Sequence, residues 1–248
     1  ERVERTPVND PDDDAGKFTA IADHVVRLLG SPDVVALQEV QDNDGGEFSE
    51  VVAADETLGM LIEAIVAAGG PRYQGLSMDP LDDTSGGQPG GNIRVAYLFN
   101  PDRVSSDVTA LAQIDAPAFG RSRLPLVARF QFGGREVVMI NVHLSSKGGS
   151  GSAYGIQQPP GDPGELARIG QVRAVRDYVR GLPPDDERTI VLLGDFNAYW
   201  YETPLLLLTG SEPAFRNLAL DEPPEERISY VFEGNSQSLD HLLVLLGT

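Results

Sequence analysis

The chain contains no cysteine and no long apolar run. Without cysteine it forms no disulfide, binds no metal through thiolates and carries no cysteine nucleophile. No stretch approaches the roughly 18 consecutive apolar residues that indicate a membrane-spanning helix, so no membrane span is expected. Neither absence decides the compartment, because a secreted protein does not need disulfides.

Positive charge is also scarce, since 19 Lys and Arg face 38 Asp and Glu and the net charge is −19. Taken alone, this balance argues against a nucleic-acid-binding protein, because such proteins neutralise phosphates with Lys and Arg. It does not exclude an enzyme that acts on phosphates through bound divalent cations, because these ions invert the local field. A large negative charge also keeps an extracellular protein soluble.

With 248 residues, 41% of them apolar, the chain can bury a sizeable core. It has no internal repeat and no long linker, so residues 1–248 are interpreted as one domain. Hydrophobic periodicity predicts helices at 18–29, 56–68, 165–182 and 205–208, and strands at 33–40, 73–78, 93–100, 126–132, 136–144, 190–193, 228–232 and 238–245. Hairpins are predicted between the 126–132 and 136–144 strands and between the last two strands. This alternation of strand pairs with single helices indicates layered α/β packing.

The 165–182 helix is predicted to bury one apolar side, which includes Leu166, Ile169, Val172, Val175 and Val179. Its arginines are predicted to lie mostly on the solvent face. They are Arg168, Arg173, Arg176 and Arg180.

Residues 189–199 place two polar side chains at the end of a buried strand. Gly194 follows the apolar run and permits a close backbone approach. If the backbone stays extended, Asp195 and Asn197 emerge on one face, where they could orient a water and an anionic oxygen. An Asx-type turn explains this segment alone equally well.

The same pattern recurs at other strand ends. Polar residues at or near the ends of other apolar strands are Glu39, His143 and Asp240, and Asn141 lies two residues before His143 on the same face of its strand. A lone histidine in a strand is more often a core residue, but His143 opens onto a long polar loop at 145–164, and such loops are often functional. A shared cleft explains these polar positions economically.

These side chains suit hydrolysis of a phosphodiester, which needs a divalent ion, groups that orient water, and a donor near the phosphorus. Carboxylates and an amide suit Mg²⁺ or Mn²⁺, whereas a zinc site would want more histidine than the three in this chain. A Ser-His-Asp hydrolase is a competing use of His143. The chain has no Gly-x-Ser-x-Gly motif, which weakens that alternative.

Four motifs occur in the order found in the endonuclease/exonuclease/phosphatase superfamily. They are Leu37-Gln38-Glu39-Val40, Asn141-Val142-His143-Leu144, Gly194-Asp195-Phe196-Asn197-Ala198 and Ser238-Leu239-Asp240-His241. From about residue 18 to its end, the chain resembles this superfamily of pancreatic-type deoxyribonucleases, abasic-site endonucleases, sphingomyelinases and inositol-polyphosphate phosphatases. The stretches 145–149 and 229–235 look most like secreted bacterial nucleases of the group.

The resemblance implies a four-layered α/β sandwich, with two mixed β-sheets packed face to face and helices outside. It also implies a cofactor, Mg²⁺, with Mn²⁺ or Ca²⁺ as alternatives. The implied roles are metal binding for Glu39, phosphate contact for His143, activation of water for Asp195, phosphate binding for Asn197, support of the histidine for Asp240, and substrate binding for Asn141 and Lys147. His241 is given no role.

The function expected from this resemblance is that of a secreted, monomeric nuclease of low sequence specificity, with DNA favoured over RNA. The alternatives are a phosphomonoesterase or a sphingomyelinase-like hydrolase of the same fold, and a non-catalytic binding module or incomplete fragment. An exposed aromatic hairpin would favour the lipid substrate, and none is evident in the sequence.

Two motifs of the superfamily are not found in the chain. One is a first strand that bears a metal- or phosphate-binding Asn, and the other is a C-terminal Ser-Asp-His segment. The domain is therefore expected to lack both pieces, either as part of a longer enzyme or as a remnant.

Overall fold

The computed structural model of the protein describes residues 16–151, 155–158, 160–183, 188–210, 212, 214–232 and 234–246. The helices are α1 (Lys17–Asp23, continued by a π-helical segment, His24–Leu28), α2 (Asp55–Ala67), α3 (Glu165–Gly181) and α4 (Thr203–Thr209). Short 3₁₀ helices occupy Val108–Ala110, Leu218–Asp221 and Pro224–Glu226. Within the described residues, no helix has the length and apolar character needed to cross a membrane.

Twelve strands complete the described secondary structure. They are β1 (Val34–Val40), β2 (Gln74–Leu76), β3 (Arg94–Phe99), β4 (Ser105–Ser106), β5 (Ala112–Gln113), β6 (Leu126–Phe132), β7 (Arg135–His143), β8 (Thr189–Asp195), β9 (Phe215–Asn217), β10 (Tyr230–Phe232), β11 (Asn235–Gln237) and β12 (Asp240–Leu245).

The strands form a small sheet, a large sheet and a separate hairpin. The small sheet has the order β1-β3-β2, and the large sheet has the order β4-β6-β7-β8-β12-β9 with β5 beside β6. The large sheet is mixed, because β7 and β8 run parallel whereas β8 and β12 run antiparallel. Among the described strands, β10 and β11 pair with each other and with no other strand.

Three apolar clusters separate four layers, which confirms the predicted sandwich. The first cluster joins α1 and α2 to the small sheet, the second lies between the two sheets, and the third joins the large sheet to α3 and α4. Representative side chains are Leu58, Ile65 and Leu98 in the first, Tyr97, Leu126 and Phe130 in the second, and Val142, Val175 and Leu192 in the third. Each sheet buries both faces, so its central strands read as continuous apolar runs.

The predicted hairpin between β6 and β7 is confirmed. Phe132 pairs with Arg135 across the two glycines. Gly133 and Gly134 have φ angles of 57° and 80°. Two successive left-handed residues match the twist of the flanking strands, which is why glycines favour this turn.

The predicted hairpin between the last two strands is wrong. Tyr230–Phe232 pairs with Asn235–Gln237, whereas Asp240–Leu245 enters the large sheet between β8 and β9. The reason is burial: Leu243 is fully buried in the core, whereas Tyr230, Val231 and Phe232 are all exposed. A strand with an apolar face pairs where that face can be covered.

The predicted orientation of α3 also needs correction. Arg168 and Arg176 are buried, and Leu166 is exposed. Arg168 turns inward because it forms an ion pair with Asp162 and donates to the carbonyl oxygens of Ser145 and Ser146. These partners lie in the loop before the helix, so helical periodicity alone could not reveal them.

Candidate active site

Three of the predicted site residues stand side by side at one edge of the large sheet. In the parallel β7–β8 pair, His143 lies beside Asp195, and in the antiparallel β8–β12 pair, Asp240 lies opposite Asp195. Paired residues on neighbouring strands point to the same face of a sheet. The strand order therefore gathers an imidazole and two carboxyl groups at one point.

Gly194 makes this close arrangement possible. Its φ angle is 127°, and a Cβ at this position would clash with the carbonyl oxygen of Val142 and lie 2.9 Å from Oδ1 of Asn141. The structure thus confirms the predicted close backbone approach. It also shows that β8 continues through Gly194 to Asp195 instead of ending before it.

Asp195 and Asn197 form an Asx-type turn within the site. The backbone N–H of Asn197 donates to Oδ1 of Asp195 at 2.7 Å, and its Nδ2 donates to the carbonyl oxygen of Leu144 at 3.1 Å. Nδ2 also lies 3.2 Å from Oδ2 of Asp195. The φ angle of Asn197 is 48°, so the extended backbone considered for this segment is wrong. The turn holds the Asp195 carboxyl group from two sides.

Glu39 reaches the same point from the small sheet. Its φ angle is 57°, and the pairing of β1 with β3 shifts between Leu37 and Val40. Such a bulge re-aims a side chain at a strand end. The side chain is 72% exposed, and Oε1 lies 3.9 Å from Nε2 of His143. The site is therefore built from both sheets.

His143 is a buried, neutral imidazole. Burial, and to a lesser extent the nearby charge of Arg123, lower the pKa of His143 to about 3. Its Nε2 lies 3.5 Å from Oδ2 of Asp195, and Nδ1 has no hydrogen-bond partner among the described residues. The proton of the neutral ring belongs on Nε2, because carboxylate oxygens are acceptors.

Asp195 is a carboxyl group with an unusual affinity for protons. Burial raises the pKa of Asp195 to about 7, and the negative charges of Asp240 and Glu39 also raise it. The hydrogen bond from the Asn197 backbone and the charge of Arg123 oppose this change. A carboxyl group with a pKa near neutrality is suited to general acid–base chemistry.

Arg123 positions the backbone around the site. The sequence did not indicate this role. The guanidinium of Arg123 donates to the carbonyl oxygens of Gly86, His143 and Leu144 at 3.2, 3.4 and 3.2 Å. These contacts fix the end of β7 and bring a buried positive charge beneath the carboxylates. The residue lies in a loop between β5 and β6, where no periodic pattern marks it.

The prediction that Asn141 binds substrate is corrected by its position. The side chain has no exposed surface. Its Nδ2 donates to the carbonyl oxygens of Leu37 and Ala96 at 3.0 and 2.9 Å, and its Oδ1 accepts a hydrogen bond of 2.7 Å from Gln38. Asn141 therefore holds the large sheet to the small sheet.

Lys147, the other predicted substrate contact, already has protein partners. Its Nζ lies 2.7 Å from Asp162 and 2.8 Å from Glu202, and it lies 4.8 Å from the ring centre of Tyr199. Glu202 also accepts a hydrogen bond from the backbone of Tyr199. The lysine therefore links three loop segments next to the site, and its charge is balanced by two carboxylates.

His241, which the sequence left without a role, positions the segment after Asn197. Its Nε2 lies 2.9 Å from the carbonyl oxygen of Ala198, and its Nδ1 lies 3.1 Å from Nδ2 of Asn217. The carbonyl only accepts, so Nε2 donates and Nδ1 accepts. Burial, as the main cause, lowers the pKa of His241, in agreement with a neutral ring.

The donors at the cleft fit a hydrated divalent ion. Within the described residues, no group of three or more His, Asp or Glu side chains is arranged to enclose a metal. Mg²⁺ needs no such enclosure, because it keeps several waters and takes only one or two protein carboxylates. Glu39 offers an accessible carboxylate beside the crowded negative charge of Asp195 and Asp240.

Comparisons with solved structures place this architecture among known folds. D. rerio TDP2 complexed with single strand DNA product is 17% identical, with a TM-score of 0.60 over 94% of this chain and 78% of that one. The human Nocturnin catalytic domain is 18% identical, with a TM-score of 0.61 over 92% and 75%. ANGEL2, described as a 2',3'-cyclic phosphatase, is 13% identical, with a TM-score of 0.62 over 93% and 74%. These likenesses establish the fold.

A search of curated proteins found no match. The model of the endonuclease/exonuclease/phosphatase family, however, matches residues 9–244, nearly the whole chain. The chain belongs to the endonuclease/exonuclease/phosphatase family.

Proposed function

We propose that the protein is a divalent-metal-dependent phosphodiesterase that cleaves nucleic acid. The observation that carries this proposal is the grouping of His143, Asp195 and Asp240 on one sheet edge opposite Glu39. Four such groups at one point serve no packing purpose, and their mutual repulsion costs stability. They are the groups that water activation and phosphate binding require.

Glu39 would hold the metal, because its carboxylate is the accessible oxygen donor at the mouth of the site. When bound, the ion would supply positive charge that neutralises the phosphate and favours attack by water. The bulge at Glu39 keeps the carboxylate aimed across the gap between the sheets. This role explains why a charged residue ends an otherwise apolar strand.

Asp195 would be the general base. With a pKa of about 7, its carboxylate can take the proton from the attacking water at neutral pH. The two hydrogen bonds from Asn197 hold both carboxylate oxygens in place. Asn197 could also turn its amide N–H toward a phosphate oxygen without leaving the site.

His143 would bind the phosphate as a neutral donor. Its Nε2–H points toward the carboxylates of Asp195 and Glu39, where the scissile phosphate would lie. Arg123, buried directly behind it, would add positive potential without contacting the substrate. Asp240 would limit the freedom of Asp195 by repulsion from the neighbouring strand.

Nucleic acid is favoured as the substrate by the family and by the DNA-bound structure of TDP2, which has the same fold. A phospholipid headgroup is the second candidate, because β10 presents Tyr230 and Phe232 to solvent with their rings stacked at 6.3 Å. This is the exposed aromatic hairpin that the sequence did not make evident. A protein with a lipid substrate could insert such side chains into a membrane surface.

The test is an activity assay of the 248-residue chain. Substrates are plasmid DNA, single-stranded DNA, RNA, sphingomyelin vesicles and a phosphomonoester, each with Mg²⁺, Mn²⁺ or Ca²⁺ and with EDTA. We expect DNA cleavage that EDTA abolishes and that falls at least about 1,000-fold in Asp195→Asn and Glu39→Gln, a loss typical of a missing base or metal ligand. Cleavage that survives Asp195→Asn would refute the assigned roles. Hydrolysis of vesicles alone would replace nucleic acid with lipid.

A further inference from the structure

The turn that follows β1 contains buried carboxylate oxygens with no hydrogen-bond partner among the described residues. We call residues 42–47 the acidic turn. Asp42 is only 1% exposed, and its Oδ1 has no partner. The Oδ1 of Asp44 is also buried and without a partner. A buried carboxylate oxygen that accepts no hydrogen bond lowers the stability of the folded protein. A cation bound to these oxygens would remove that penalty.

The backbone of the acidic turn brings the two carboxyl groups together. Asp42 and Asp44 flank Asn43, and the N–H of Gly45 closes the turn on the carbonyl oxygen of Asp42 at 3.3 Å. Gly45 has a φ angle of 71°, which glycine adopts without strain. The turn therefore holds the two carboxyl groups close together.

The turn is anchored on α2 through other atoms. Asn43 donates to Asp55 at 2.8 Å and accepts from the backbone N–H of Glu56 at 2.9 Å. The hydroxyl of Thr57 donates to the carbonyl oxygen of Asp42 at 2.8 Å. These contacts fix the turn but leave both Oδ1 atoms unused, so the carboxylates are positioned before any ion arrives.

Arg94 is a cation whose charge acts on Asp42. Asn92 joins Asp42 and Asp82 by donating to both carboxylates, at 3.0 and 3.1 Å. The nearby cation, Arg94, directs its two terminal nitrogens to Asp79 and to the backbone of Asn92 instead. The carboxylates around Arg94 therefore outnumber it, and among the described residues no hydrogen bond from Arg94 reaches Oδ1 of Asp42.

The acidic turn borders a cavity. A cavity of about 520 Å³ is bordered by Asp42, Asp44 and Glu47, and it extends to Glu39. The carbonyl oxygens of Gly46 and Glu47 lie on the same turn, against Gly90 of the facing loop. Carboxylate oxygens are the main protein ligands of a large, hard cation.

We propose that the acidic turn is a calcium-binding site in which Oδ1 of Asp42 and Oδ1 of Asp44 are the carboxylate ligands. Ca²⁺ accepts about six to eight oxygens in a flexible arrangement, so backbone carbonyls and waters can complete its shell. Two aspartates one residue apart also open known calcium loops, although the rest of the EF-hand pattern is absent here. Glu39 is not one of the proposed ligands, and the role of the site is structural. It ties the acidic turn to the loop that carries Asn92.

Calcium titration of the metal-stripped 248-residue chain, in excess Mg²⁺, tests this site by calorimetry and by thermal unfolding. We expect one Ca²⁺ to bind and the Tm to rise by about 5–10 °C at roughly 100 times the dissociation constant. Asp42→Asn and Asp44→Asn should each weaken binding at least about 100-fold, because each removes a charged ligand. Both variants should fold, since Asn has nearly the shape of Asp and D42N removes a buried charge. Circular dichroism checks this.

Two matched controls separate this site from the proposed catalytic metal. Asp102→Asn removes an exposed charge elsewhere, and Glu39→Gln removes the proposed catalytic ligand, so both should keep the calcium-dependent rise in Tm. A rise that persists in D42N, or that disappears in Glu39→Gln, would overturn the proposal. A Tm that does not respond to Ca²⁺ in the unmodified chain would also overturn it. None of these readouts requires enzymatic activity, so the phosphodiesterase proposal can fail independently.

Discussion

Asn141 on the large sheet donates a hydrogen bond of 3.0 Å to the carbonyl oxygen of Leu37 on the small sheet. Leu37 is two residues before Glu39, so this bond and those to Ala96 and Gln38 set where the small sheet presents its carboxylate. Asn141→Ala would leave buried partners unpaired. We expect it to lower the free energy of unfolding by about 2–4 kcal/mol.

Urea unfolding and steady-state kinetics check this prediction together. A connector between the sheets should change stability and kcat, whereas a substrate contact should change mainly KM. Unchanged stability with a raised KM would restore the substrate-binding role that the sequence suggested for Asn141.

Gly194→Ala should be among the most damaging small substitutions in the chain. The added Cβ would clash with the carbonyl oxygen of Val142, and an alanine strains at a φ of 127°. Because this neighbour is backbone, β7 and β8 must separate. We expect a loss of at least about 2–3 kcal/mol in unfolding free energy. Gly133→Ala, where nothing lies nearby, is the control. Equal thermal shifts would show that conformational strain alone is responsible.

Asp195 should destabilise the metal-free protein as pH rises. Its folded pKa of about 7 lies above the ordinary value of 3.8, so the folded state binds the proton more tightly than the unfolded state does. The resulting stabilisation is complete below about pH 4 and is lost as the pH rises toward 7. The charged groups around it are Glu39, Arg123 and Asp240, with neutral His143 alongside.

Asp195→Asn tests this effect when unfolding is measured in EDTA between pH 5 and 8. The difference in Tm between the variant and the unmodified protein should move in favour of the variant as the pH rises. A difference that is independent of pH would contradict the raised pKa.

The aromatic hairpin offers a direct choice between the two candidate substrates. Because unpaired bases stack on exposed rings, we expect Tyr230→Ser with Phe232→Ser to weaken binding of single-stranded DNA by about 5–100-fold while leaving the Tm nearly unchanged. Phe132→Ser is a matched control, since Phe132 and Phe232 are both 51% exposed but lie on different hairpins. Fluorescence anisotropy with labelled oligonucleotides and a vesicle sedimentation assay provide the measurements. Lost vesicle binding with unchanged DNA binding would favour the lipid substrate.

The sequence predicted the structure best where the local conformation depends on a single strand or a single turn. The buried strand before Asp195 and the glycine hairpin at Gly133 depend on local pattern and backbone preference, and both were predicted. The site residues could be grouped because each interrupts an apolar strand near its end. The strands bring Asp195, His143 and Asp240 together as that grouping required.

Features that depend on distant partners could not be predicted from the sequence. Arg123 is recognisable only after folding brings three carbonyl oxygens around it. Asn141 has the residue type of a phosphate ligand, but its burial depends on how two sheets meet. Glu39 has a left-handed backbone because the pairing of β1 with β3 contains a bulge at this position. No local sequence motif predicts this bulge.

Because the site is divided between two sheets, the apolar core between the sheets sets the distance across the site. Glu39 belongs to the small sheet, whereas His143 and Asp195 belong to the large one. Their separation is set by side chains such as Tyr97, whose hydroxyl lies 3.2 Å from the carbonyl oxygen of Leu126. Changes in core volume can therefore widen or narrow the gap between Glu39 and His143 without altering any residue that faces it. The geometry of the candidate site can be adjusted from the interior of the protein.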